Sequence, residues 1–232
     1  IVDGGSTDGT IKIINEYNHN NKKIRVVKGS GIYEAMNVGI KMATGEIVTI
    51  LNSDDIYQNE EIISDVMKDI IKNPNESIYL GDVVYFKNTS FFNIYRYYRS
   101  KYFKKWHLKI GLMPPHPPSF IRKKIYDKYG LYHEKFQIAS DFELFLRLIY
   151  KFNINFKILN RTVVRMRMGG ISGKNLKSYI ISTKEIFKSF ELNQIKSNFF
   201  KIILRLPPKV GQYILFNKLK LNNNFKLFTI KF

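Results

Sequence analysis

The 232 residues carry 38 Lys and Arg against 19 Asp and Glu, a formal net charge of +19, with 44% hydrophobic residues and no cysteine. That length and hydrophobic content fit one sizeable core with appendages, with two small domains as the alternative. The lack of cysteine excludes disulfides, thiolate metal sites and a cysteine nucleophile, and favours a reducing compartment.

The charge is unevenly placed. Residues 1–150 hold 21 basic and 17 acidic side chains (+4), and residues 151–232 hold 17 and 2 (+15). A basic end of this kind suits anionic lipid, nucleic acid or phosphorylated substrates; it is equally the solvated face of a Lys/Asn/Ile-rich composition. No apolar run reaches the roughly 20 residues of a membrane-spanning helix, because Lys201, Arg205 and Lys209 interrupt the best stretch. The chain opens at Ile1 among strand-like residues and without Met, so an N-terminal piece ahead of it is expected, with a targeting segment left open.

In chain order, "IVDGGSTDGT" reads as the end of a buried strand, a Gly-rich turn and a helix start, with Asp8 as N-cap and Ile11, Ile13, Ile14 and Tyr17 apolar. "KIRVVKG" is a short strand. "YEAMNVGIKMATG" predicts a helix through Ala35, Val38 and Met42, closed by Gly45. "EIVTILNSDD" is an apolar strand ending in polar residues. This strand–helix–strand alternation predicts an α/β fold with a mostly parallel sheet flanked by helices.

"NEEIISDVMKDIIKN" predicts a helix, and "SIYLGDVVYF" a strand. The aromatic, basic residues 88–109 show no periodicity and read as a loop or short helix near a site. "MPPHPPSF" is an extended, Pro-pinned segment. "IASDFELFLRLIYKF" predicts a helix opened by Ser140 or Asp141, "NFKILN" and "TVVRMRM" predict strands, and "NLKSYIISTKEIFKSF" a further helix. Residues beyond 191 are basic and amphipathic.

Asp54 and Asp55 close a strand at the edge where open α/β sheets place ligands. Two adjacent carboxylates repel, and a hard divalent cation relieves that cost; a helix N-cap uses the same residues. Asp3 faces the same edge, with Gly4, Gly5 and Gly9 allowing close backbone approach. The turn matches neither the dinucleotide fingerprint nor a P-loop. Asp141 has two readings, a helix cap or a general base within reach of a hydroxyl. His116, between two Pro-Pro pairs, is either a positioned imidazole or an exposed loop histidine.

"IVDGGSTDGT", "GIYEAMNVGIKMATGEIVTILNSDD", "IASDFELFLRL" and "MGGIS", in that order, resemble a family 2 glycosyltransferase of the GT-A fold from Ile1 to about Ser172. The resemblance implies a GT-A domain over residues 1–172 without its first strand and its Pro-x-Tyr-Asn-like turn, followed by a basic helical extension over 173–232. It implies an inverting, metal-assisted transferase that moves a sugar from a nucleotide-diphosphate donor, UDP by preference, to a glycan or lipid-linked hydroxyl in polysaccharide or cell-envelope synthesis. Asp3, Gly5, Asn37 and Asn52 then bind nucleotide. Asp54 and Asp55 hold Mn2+ or Mg2+, with Asn52 standing where the family's Asp-x-Asp element begins. Asp141 is the base, and His116 an acceptor or phosphate contact. A similar sequence often has an acid ahead of "GIY", where this chain has Gly29 or Ser30. The expected location is cytoplasmic, with peripheral contact at the inner face of an anionic membrane. An inactive relative or a basic nucleic-acid or membrane-binding module is the rival, although no nucleic acid partner is expected.

Overall fold

The computed structural model describes residues 1–87, 90–168, 176–197, 200 and 202. Gly169–Ser172 of the "MGGIS" motif and nearly all of the C-terminal basic segment lie outside them. Strands β1 (Val2–Asp3) and β2 (Arg25–Val26) form a parallel pair. A six-stranded sheet holds β3 (Ile47–Thr49), β4 (Ile56–Tyr57), β5 (Ile78–Lys87), β6 (Ser90–Tyr98), β7 (Ser119–Arg122) and β8 (Phe156–Arg167). Its order is β3-β7-β5-β8-β4, with β6 also alongside β5.

The expected parallel character is met only in part. β1–β2 and β5–β8 are parallel, whereas β7 runs antiparallel to both β3 and β5, and β4 and β6 are antiparallel to β8 and β5. A helical crossover returns the chain in the same direction, as α1 (Thr10–Glu16) does between β1 and β2. β7 instead follows two short 3-10 helices, Ser100–Tyr102 and Lys105–Ile110, and the Pro-pinned segment.

The helices α2 (Ile32–Met42), α3 (Ile62–Lys72), α4 (Lys123–Tyr129), α5 (Ser140–Phe145) and α6 (Leu176–Leu192) complete the architecture. Two clusters form the core. One joins Tyr33 and Ile40 of α2 to Ile78, Leu80, Ile121, Phe142, Leu144, Phe145, Ile186 and Phe190. The other sets Ile62, Val66 and Ile70 of α3, an i, i+4, i+8 stripe, on Tyr79, Val83, Phe120, Leu159 and Val164. α5 buries Ser140, Phe142, Glu143, Leu144 and Phe145, so its polar Ser140 and Glu143 are buried along with its apolar residues; it runs into a π-helical turn, Leu146–Lys151. Fully burying one such Leu or Phe side chain contributes roughly 1.5–3 kcal/mol.

Several expectations change. Residues 90–98, read as loop or short helix, form β6: Tyr and Phe have high strand propensity, and β5 supplies the pairing that local periodicity does not reveal. The two strands expected near residue 160 are one, β8, irregular at Asn160, whose φ is 50°. α2 ends at Ala43, two residues before Gly45. α1 buries none of its residues, and Ile13 and Tyr17 stand exposed.

Where β5 and β8 slip register, between Leu80 and Asp82, Gly81 is required sterically. A Cβ there would sit 2.4 Å from Val163 Cγ2 and 3.2 Å from Pro118 Cβ. Among the described residues no helix is long and apolar enough to cross a membrane.

Candidate active site

The turn after β1 is built around Asp3. Its Oδ1 accepts the amides of Gly5 (2.8 Å) and Ser6 (2.7 Å), and its Oδ2 accepts the Ser6 hydroxyl (2.7 Å). The Ser6 hydroxyl, then the two amides, hold the carboxyl below its ordinary range, so it is ionised. Gly5 has φ 98°, and a Cβ on it would meet Lys28 Cγ at 3.0 Å. Glycine thereby lets the turn lie against the residues that follow β2, where Gly29 donates to the Gly4 carbonyl.

At the other edge, Asn52–Asp55 form a tight turn in which the Asp55 amide donates to the Asn52 carbonyl at 3.1 Å. The two carboxylates part ways. Asp54 is exposed, whereas Asp55 is 4% exposed. Asp55 Oδ2 accepts Asn52 Nδ2 at 2.9 Å, and Oδ1 accepts the Arg167 amide at 3.3 Å. Burial raises the Asp55 pKa, the Asn52 bond opposes this, and the neighbouring Asp54 charge adds to it. The capping alternative is corrected here: β4 follows Asp55 directly and α3 starts only at Ile62, with Glu61 at its N-cap.

Asp141 lies in the first turn of α5, half-buried, with Oδ1 accepting the Phe142 amide at 2.8 Å. The segment leading to it is tied down residue by residue. Asn37 Nδ2 donates to the Tyr132 carbonyl and to Glu134 Oε1, both at 2.9 Å, and Asn37 Oδ1 accepts the Tyr132 amide. Tyr33, one helical turn earlier on α2, donates to the Ile138 carbonyl at 2.5 Å. Glu185 of α6 accepts three consecutive amides, those of Gln137, Ile138 and Ala139. Ser140 Oγ accepts the His133 amide.

Two of the expected site residues, Asn37 and His116, are buried. Asn37, expected at the nucleotide, is 2% exposed and has its amide fully engaged by the segment before Asp141. His116 is no exposed loop histidine: it is buried against Tyr132 and Phe145, and Nε2 shares a 2.5 Å hydrogen bond with the Tyr132 hydroxyl. The imidazole packs on the core face of that segment. Sequence reading missed Tyr33 and Glu185. The i, i+4 spacing of Tyr33 and Asn37 was the available signal for the first, and the scarcity of acids after residue 150 for the second.

Burial lowers the His116 pKa to about 4 from 6.5. The unfolded chain takes up a proton below about 6.5 that the native ring refuses until about 4, so stability falls as pH drops through that window. The expected loss is about 3 kcal/mol in all. Urea midpoints at neutral and acid pH check it: His116→Asn should remove most of the pH-dependent difference, and an unchanged acid sensitivity would contradict the assignment.

Tyr85 lies on β5, opposite Arg96 of β6 and Met166 of β8. Burial raises its pKa first, the Arg96 cation opposes, and the charges of both Asp55 and Asp141 add to the rise. Among the described residues no group of three or more His, Asp and Glu could hold a metal alone. Asp54 and Asp55 supply two hard oxygen donors, and the buried Asp55 charge is one that a cation would relieve; nucleotide phosphates and water commonly complete such a shell. The donor set fits Mg2+ or Mn2+.

Acidic turns after β1 and β3, with a third carboxylate at the start of α5, place the chain among α/β proteins that bind ligands at the strand ends of an open sheet. It belongs to glycosyl transferase family 2, whose sequence profile matches residues 1–130. The PGL/p-HBAD biosynthesis glycosyltransferase of Mycobacterium bovis (strain BCG / Pasteur 1173P2) is 26% identical over 150 residues, 63% of this chain and 56% of that protein. The chain thus spans little more than half the length of that relative. Glycosyltransferase GlyG of Streptococcus pneumoniae is 39% identical over 66 residues, 27% of this chain and 22% of that one. The fold matches that of S. aureus TarS 1-349 in complex with UDP-GlcNAc, with TM-score 0.62 and 19% identity over 97% of this chain and 66% of that one. It also matches the mannosyltransferase PcManGT of Pyrobaculum calidifontis in complex with GDP-Man and Mn2+, with TM-score 0.56 and 15% identity over the same shares.

Proposed function

We propose that this chain transfers a sugar from a nucleotide-diphosphate donor, UDP-linked, to a hydroxyl of a glycan or lipid-linked acceptor, with inversion. The observation that carries this is the pair of acidic turns, Asp3 after β1 and Asn52–Asp55 after β3, together with Asp141 in the first turn of α5. The TarS complex with UDP-GlcNAc and the PcManGT complex with Mn2+ support the donor and the metal.

Asp3 accepts one bond on Oδ2, which leaves lone pairs for a ribose hydroxyl. Gly5 brings backbone close to the nucleoside. Asn52 orients Asp55 and presents the rest of its amide to the ribose. Asp54 and Asp55 would hold a divalent cation, which would supply charge neutralisation at the diphosphate. Asp141 accepts the acceptor hydroxyl's proton as that oxygen attacks the anomeric carbon in line, and the diphosphate leaves from the opposite face. A single displacement inverts the centre. The basic residues after 150 bring the protein to an anionic membrane carrying the acceptor.

Calorimetric titration with UDP, with and without Mn2+, tests the reading. The wild-type protein should bind UDP in a Mn2+-dependent way, and Asp55→Asn should lose that dependence by on the order of 10–100-fold in affinity. UDP binding indifferent to Mn2+ in both proteins would sink the metal assignment.

A further inference from the structure

Strand register places four residues in one row across the sheet. Arg96 of β6 lies opposite Tyr85 of β5, and Tyr85 opposite Met166 of β8. Ile56 of β4 pairs with Arg165, so the same register continued by one residue sets Asp55 opposite Met166. Paired residues share a face, and three strand spacings of about 4.8 Å put Arg96 about 14 Å from Asp55 on the same side.

The guanidinium of Arg96 is held by aromatic rings. Its carbon lies 5.3 Å from the Tyr85 ring centre and 5.6 Å from that of Tyr98. Its Nε is buried without a hydrogen-bond partner. Among the described residues no Asp or Glu forms an ion pair with it. A buried donor left without an acceptor costs about 1–3 kcal/mol, and the arrangement keeps that donor for an acceptor that a ligand brings. Stacked rings hold the planar fork, which matches two phosphate oxygens at once as a lysine ammonium does not.

We propose that Arg96, clamped between Tyr85 and Tyr98, is the phosphate-binding cation of this site. The inference rests on the nucleotide-sugar reading above, and the phosphate belongs either to the donor's diphosphate or to the acceptor. Neither source has been assigned a basic side chain by the motifs: the P-loop lysine is absent and His116 is buried and neutral.

The test titrates wild type, Arg96→Gln and Arg96→Lys with UDP, with uridine, and with inorganic phosphate before and after loading with UDP and Mn2+. If Arg96 meets the diphosphate, UDP affinity falls at least about tenfold in Arg96→Gln while uridine affinity holds. If it meets an acceptor phosphate, UDP affinity holds and the UDP-loaded variant loses inorganic phosphate binding. Arg96→Lys should show the same loss in smaller measure, and it decides alone if Arg96→Gln does not fold. The proposal is overturned if UDP and uridine weaken together, or if neither UDP nor phosphate binding changes in a folded variant. It is overturned also if only the pH profile of transfer moves, because Arg96 would then be a counter-charge to Asp141. Should wild type bind no UDP, the nucleotide reading fails. Phosphate binding by wild type but not by Arg96→Gln would still uphold the cation, and its absence in wild type would end it.

Discussion

Asp141→Asn is expected to slow sugar transfer by on the order of 10²- to 10⁴-fold, the usual contribution of a positioned general base, with UDP affinity unchanged. Asn keeps the shape and the oxygen that accepts the Phe142 amide, so α5 should start as it does now. Only the ability to take up a proton is lost. The segment before it is fixed by Tyr33, Asn37, Ser140 and Glu185, none of which needs the charge at 141. Single-turnover transfer from a UDP-sugar, beside a UDP titration, separates the two effects. Near wild-type turnover in the variant would remove Asp141 from the chemistry.

A second substitution two residues on should act on stability instead. Glu143 is 2% exposed and receives Arg147 Nε and Nη2, each at 2.9 Å, together with Asn193 Nδ2 at 3.0 Å. Arg147 also donates to the Tyr129 and Leu131 carbonyls, so the pair joins α5, α6 and the segment before Asp141. Glu143→Ala leaves a buried guanidinium without its counter-charge, and the expected loss is about 3–5 kcal/mol in urea unfolding. Replacing both members, as Glu143→Leu with Arg147→Met, should cost less than the two single changes added together, because no uncompensated charge remains. Strict additivity in that cycle would show that the pair is not coupled.

Sequence pattern carried the α/β class and most helices, since stripes such as Ile62, Val66 and Ile70 announce which face is covered. Sheet direction was not legible in the same way. β7 reaches its place between β3 and β5 through long-range pairing that nothing local to "SFIR" encodes. β6 was hidden for a related reason: its aromatic residues have strand propensity, but only the partner strand decides. At the candidate site, the motifs singled out Asp3, Asp54, Asp55 and Asp141 and their resemblance suggested roles, but not the surroundings of each. Adjacent Asp54 and Asp55 look alike in sequence, yet one is exposed and the other buried, because the Asn52 and Arg167 contacts come from the folded turn and from a strand 112 residues on. Asn37 shows the same gap. An amide on a helix face is chemically suited to a ribose, and only the position of residues 132–134 reveals that it is already engaged.

The three amides that Glu185 receives have an implication for descent. The family profile ends at residue 130, before the tethered segment, the proposed base and the helix that holds it. The proposed donor-side turns thus lie within residues 1–130, while the proposed base and its anchor lie after them. The two stretches are not separable units, because β8 after residue 130 pairs with β5 and β4 before it and its Arg167 amide holds Asp55, while Tyr33 and Asn37 reach forward to the segment before Asp141. A hybrid joined at residue 130 would therefore have to rebuild the middle of the sheet as well as the inner face of α2.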